Sequence, residues 1–168
     1  MKAMNLMLLA ILGGILAACE FSVPLVETPD IPIDERVLGV WARSNDEGKE
    51  ERLLVLPLGK HEYLVSYPAT TTDAMFARAC LTRAAGKTLV QLNWFGDAKG
   101  SVPDDKRTYQ YVEYSVDGRK LTVRLLNSDV VSKDAASTNA LVEAIEAGKD
   151  HPKLFREAML FNRIAPNP

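Results

Sequence analysis

The side chains with the greatest intrinsic reactivity in this chain are Cys80, His61 and His151. A cysteine and a histidine can act as nucleophile and general base when the fold brings them within hydrogen-bond reach. Spacing alone does not do so here. Cys80 lies in the mostly apolar run 77–81 and reads as a small buried hydrophobe. His61 sits at a turn between Lys60 and Glu62, and His151 lies between Asp150 and Pro152. Neither belongs to a metal-spaced set. Ala85-Gly86-Lys87-Thr88 has the ending of a phosphate-binding loop. That loop also needs a glycine at position 81, which is Leu, and a helix after the lysine, where 88–92 reads as strand. The four residues are expected to form a hairpin turn. Neither Gly-x-Ser-x-Gly nor His-Glu-x-x-His is present. Asp104-Asp105 stands beside Lys106 and Arg107 in a polar loop, where solvated charge is the default. The chemistry therefore points away from an enzyme, and no catalytic, metal or cofactor site is expected.

The aromatic residues are more informative. Trp94 and Phe95 end one β-like run, and Tyr63 and Tyr67 share a face of another. Tyr109, Tyr111 and Glu113 alternate on one face of a third run, with Gln110, Val112 and Tyr114 on the other. Tyr and Trp combine an apolar body with a polar tip, which suits a ligand cavity or a protein-binding surface. Trp41, Tyr63, Tyr67, Trp94, Tyr109 and Tyr111 are thus the candidate ligand or partner surface. The plainer reading is that they pack a barrel and its rim. Arg124 falls on the face opposite Val123 and Leu125 and is expected to point to solvent.

The elements that must position these residues are short strands separated by turn signals. The runs are 37–42, 52–58, 62–67, 75–82, 88–95, 108–116 and 120–126. Asp117-Gly118 is the strongest hairpin signal, because a type I′ turn needs φ > 0 at both central residues. The period then changes. Ala140, Leu141, Ala144 and Ile145 recur at helical spacing over 137–147, with Ser137 a plausible N-cap and Gly148 a plausible end. An eighth strand is expected at 158–164, and 165–168 is read as a tail. Eight strands with short links predict a mainly β fold: an antiparallel meander closed or half-closed into a small barrel, with one helix before the last strand.

The N-terminus carries an address. Lys2 gives a positive start, and the apolar stretch 6–16 is of signal length, well short of the ~20 residues that span a bilayer. It ends in Leu16-Ala17-Ala18-Cys19, which resembles the lipobox of bacterial lipoproteins. The resemblance implies cleavage before Cys19, a diacylglycerol on its thiol and an acyl chain on its new amino group. It places the protein on a membrane of the bacterial envelope. Glu20, rather than Asp, leans toward the periplasmic face of the outer membrane. Two or three acyl chains anchor stably where one does not. With Cys19 so used, Cys80 has no disulfide partner. Residues 1–18 then drop out of the folded protein, leaving 150 of 168 residues and moving the formal charge from −2 to −3. No basic run suggests nucleic acid as a partner. Residues 19–34, with three prolines and three acids after Cys19 and Glu20, read as a tether reaching roughly 45 Å if extended. A single domain is expected over 35–164.

Gly39-Val40-Trp41 resembles the Gly-x-Trp of the lipocalins. In that family the Trp lies across the closed end of the barrel and a late Arg packs on its ring. Arg163 is the candidate for that cation–π partner, worth ~0.5–2 kcal/mol. The Thr-Asp-Tyr motif and the C-terminal disulfide of the family are missing. The resemblance implies a lipocalin-like architecture. The anchor, the tether, the strand count and the lack of catalytic residues lead to the expectation of a non-catalytic binding module for a small apolar ligand or an envelope protein. The alternative is an accessory subunit of an envelope secretion or assembly complex, docking through the 137–147 helix or a sheet edge.

Overall fold

The computed structural model describes residues 20–103 and 106–165. Residues 1–19, Asp104-Asp105 and 166–168 lie outside the described residues, and with them the expected signal segment and the expected lipidation site at Cys19. Eight strands follow in chain order: β1 (Gly39–Ser44), β2 (Glu50–Pro57), β3 (Glu62–Tyr67), β4 (Met75–Ala84), β5 (Lys87–Asp97), β6 (Tyr109–Asp117), β7 (Lys120–Leu125) and β8 (Met159–Ala165). Each pairs antiparallel with the next, and β8 pairs with β1. The meander is a fully closed barrel, and helix α1 (Thr138–Ala147) precedes the last strand. Ala165, read from sequence as the start of the tail, pairs with Val40 and belongs to β8.

Local chemistry explains the turns. Ala84 pairs with Lys87, so Ala85 and Gly86 are the central residues of a two-residue hairpin. Both have positive φ, 49° and 70°, as type I′ demands. The Ala-Gly-Lys-Thr stretch is thus a hairpin turn. At the other predicted turn the register differs by one residue. Asp117 pairs with Lys120, so Gly118 and Arg119 are central, and Gly118 at φ 56° is the glycine of the pair. Gly39 enters β1 at φ 118°, a conformation that L side chains rarely adopt, which gives the glycine of Gly-Val-Trp a backbone role.

Alternation along the strands separates two apolar clusters. The interior cluster includes Trp41, Val55, Tyr63, Val65, Tyr67, Leu92, Trp94, Val112, Leu121 and Phe161. The second lies on the outer wall and joins Leu89 and Tyr111 to Phe21, Leu25, Leu126, Leu141, Ile145, Leu154 and Phe155. It contains the buried stripe of α1, whose Leu141 and Ile145 are fully buried one helical turn apart. Ser137 caps the helix by accepting from Ala140 N at 3.2 Å.

Residues 20–34 correct the sequence reading. They are not a free tether but a strap laid along the barrel wall. Phe21 is 1% exposed and bridges to Tyr109. Gln91 Oε1 accepts from Leu25 N at 2.6 Å and Val26 N at 3.1 Å, while its Nε2 donates to Val26 O at 2.8 Å. The Tyr111 hydroxyl donates to Val23 O, and Thr138 Oγ1 donates to Pro24 O at 2.6 Å. Ile31 and Ile33 pack against the interior cluster, and Ile33 N donates to Lys60 O. The composition suggested a tether because the strap has no periodicity of its own. Its backbone is satisfied by side chains supplied from β5, β6 and α1, which periodicity cannot reveal.

Cys80 faces the same outer layer. It is 4% exposed, and Gln91 Nε2 lies 3.8 Å from its sulfur. Burial, and then the Glu62 carboxylate, push its thiol up to about 11. The native thiol is therefore expected to react with iodoacetamide at neutral pH about 100-fold or more slower than a free cysteine, and at the free rate in urea. Equal native and denatured labelling rates, followed by mass spectrometry, would refute this burial.

Candidate functional site

The barrel interior holds an apolar cavity. Its upper part, of about 250 Å³, is lined by Leu53, Val65, Tyr67, Leu92, Trp94, Gln110, Val112, Val123, Leu125, Met159 and Phe161, with Glu20 and Arg156 among its wall. A lower part of about 100 Å³ adds Val37, Val55, Tyr63, Ala79, Val90, Tyr114 and Leu121, and shares Leu53, Val65, Leu92, Val112 and Val123 with the upper part. Drug-sized ligand pockets run roughly 300–1,000 Å³, so this one suits a small occupant.

One end of the barrel is sealed. A 3₁₀ turn at Glu35–Val37 crosses it, capped by Asp34. Trp41 is fully buried and its Nε1 donates to Val37 O at 2.8 Å. Arg163 Cζ sits 4.0 Å from the Trp41 ring centroid. Its guanidinium also donates to Leu38 O at 2.5 Å and to Arg36 O. Three carbonyl-directed bonds thus tie the turn to β1 and β8. Asp34 adds a further link, donating its N–H to the Tyr63 hydroxyl at 2.5 Å and accepting from Tyr114 at 3.1 Å. The Arg36 hydrogen bond holds the Asp34 carboxyl below the usual range.

The other end is polar and open. Trp94 Nε1 donates to Gln110 Oε1 at 3.4 Å. Arg156 reaches Glu20 at 2.6 Å and Ser128 at 3.1 Å. Between β1, β2 and β3 sits a half-buried network. Arg43 Nε lies 3.0 Å from both Glu51 and the Tyr67 hydroxyl, Tyr67 also donates to Glu51, and Asn45 donates to Glu51 at 3.0 Å. Burial alone would raise the Glu51 carboxyl, but these hydrogen bonds outweigh it and hold it below the ordinary value. Burial and the bond to Glu51 push Tyr67 above the usual phenol range. Arg43 also lies 5.7 Å over the Phe161 ring.

The six aromatic candidates therefore divide. Tyr67 and Trp94 line the upper cavity, Tyr63 the lower, and Trp41 closes the end. Tyr109 and Tyr111 do not join them. They belong to the outer cluster beneath the strap, where Tyr111 packs against Phe21 at 5.2 Å. The correction follows from strand parity: Gln110 and Val112 take the inward positions, so their neighbours face out. Sequence reading missed Gln110, Arg43, Glu51 and Phe161. Counting by two from Trp41 places Arg43 on the inner face, a signal that was there to use. Arg124 does lie on the outer face, where it bonds Glu113 at 3.3 Å and covers Phe155.

The apolar stripe of α1 is buried against the barrel, and closure leaves the sheet without a free edge. Among the described residues no group of three His, Cys, Asp or Glu is placed to hold a metal ion, and no helix is long and apolar enough to cross a membrane.

No protein-family model, curated protein or solved structure matches this chain.

Proposed function

We propose that this chain is a lipid-anchored protein of the bacterial envelope whose lipocalin-like barrel binds a small apolar ligand. The observation that carries the reading is the apolar cavity of about 250 Å³, sealed at one end by Trp41 and Arg163 and edged at the other by polar side chains. Gly39 at its positive φ, Trp41 across the end and Arg163 on its ring support the lipocalin-like part. The Leu16-Ala17-Ala18-Cys19 sequence supports the anchor. The polar edge orients a ligand by its one polar group, while the apolar wall supplies the affinity. About eight buried methylenes at ~0.8 kcal/mol each give roughly 6 kcal/mol before ordering costs, hence binding in the micromolar to millimolar range.

Titration with 1-decanol, followed by tryptophan emission and native mass spectrometry, tests this. Saturable one-to-one binding is expected. Val123 lines both parts of the cavity. Val123→Phe is expected to weaken binding about tenfold or more, a loss of ~1.4 kcal/mol or more, with the far-UV spectrum unchanged. Absence of decanol binding, or equal binding by a folded Val123→Phe protein, refutes the reading.

A further inference from the structure

The first described residue, Glu20, stands at the open end of the barrel. Glu20 is among the residues that line the cavity, and its carboxylate pairs with Arg156 at 2.6 Å. Glu20 N and Phe21 N lie 3.3 and 3.2 Å from Tyr109 O, and Tyr109 N donates back to Phe21 O at 3.0 Å. Tyr109 is the first residue of β6, so these bonds fix the start of the strap where β6 begins, at the cavity mouth. The sequence reading separated anchor from domain by roughly 45 Å of extended chain. In the structure that distance is used up along the wall. The described chain therefore begins at the mouth, at Glu20.

The rim at this end has an apolar component of its own. The β5–β6 connection starts beyond Asp97, and its Val102 is 68% exposed. Phe95, near the end of β5, is 46% exposed and stacks on Phe76 at 6.4 Å. A side chain such as Val102 gains nothing from water and gains by entering a lipid interface.

We propose that the open end of the barrel faces the lipid surface, with the rim at Phe95 and Val102 resting on it, so that the cavity opens onto the leaflet rather than into bulk water. The partner is the bilayer that holds the acyl chains of Cys19. The proposal rests on the anchor reading above, and adds an orientation to it. A ligand with a single apolar chain then enters the cavity from the leaflet without crossing water, and the polar groups at the mouth stay at headgroup level.

The test uses the full chain purified from bacterial membranes. Mass spectrometry first establishes acylation at Cys19. Val102→Cys at the rim and Leu58→Cys in the β2–β3 turn, at the sealed end, are each labelled with an environment-sensitive nitrobenzoxadiazole dye under native conditions, which spare buried Cys80. The proteins are reconstituted into phosphatidylethanolamine–phosphatidylglycerol vesicles with or without doxyl-labelled lipid. The dye at 102 is expected to shift to the blue and to be quenched several-fold more by doxyl lipid than the dye at 58. Ser101→Cys and Lys60→Cys repeat the comparison should either first variant misfold. An acylated chain whose two dyes are quenched equally, or whose dye at 58 is quenched more, overturns the orientation alone. A chain without acyl groups at Cys19 overturns the anchor and the orientation together.

Discussion

Trp41→Ala is expected to lower the thermal midpoint of the domain by about 10–15 °C. Trp41 is fully buried at the sealed end. Truncating such a side chain costs ~3–5 kcal/mol through lost burial and the cavity left behind. For a domain of this size each kcal/mol shifts the midpoint by ~2–4 °C. Two further effects act in the same direction. Val37 O loses its donor, and the Arg163 guanidinium loses the ring it covers at 4.0 Å. Trp41→Phe separates the contributions. It keeps most of the apolar area and removes the indole N–H, leaving a buried carbonyl short of a donor at ~1–3 kcal/mol. Its midpoint should fall between those of wild type and Trp41→Ala. A Trp41→Ala protein that melts with the wild type would show that the seal contributes nothing to stability.

The second large effect concerns where the domain begins. A chain starting at Glu35, the boundary that composition suggests, is expected not to fold cooperatively. A chain starting at Glu20 is expected to unfold in a single urea transition. The shorter chain lacks Phe21 and Leu25, which fill the outer cluster at 1% and 9% exposure. Each buried residue of this size is worth ~2–5 kcal/mol. It also strips the Gln91 amide, the Tyr111 hydroxyl and Thr138 of their strap partners. The sum approaches the ~5–15 kcal/mol by which whole domains are stable. Matching urea midpoints for the two chains would show the strap to be dispensable.

The two outcomes bear on how far this sequence can be read. Strand positions were legible because alternation and turn residues are local. Glu62–Tyr67 was placed to the residue, and the other strands to within two residues at each end. The helix was legible from its apolar spacing and its Ser137 cap. Closure was half legible: the number of strands suggested it, but the pairing of Trp41 with Arg163 is a contact between the first and last strands. The aromatic candidates failed where a single parity decision was needed. Tyr109 and Gln110 look equally suited to a cavity until β6 is set against β5, and only then does Gln110 turn inward. The strap was the least legible part. Its order depends on Gln91, Tyr111 and Thr138, each more than sixty residues away.

That separation also constrains the order of folding. Loop closure must be completed before a distant contact can stabilise anything, and folds rich in such contacts form slowly. The strap cannot dock until β5, β6 and the start of α1 exist, and the ring of strands cannot close until β8 arrives at β1. The N-terminal end of the chain is therefore the first to be made and among the last to settle. Under the anchor proposed above, this leaves an interval during export when the residues beside Cys19 are extended and accessible to acylating enzymes. The interval ends when the barrel wall captures Phe21.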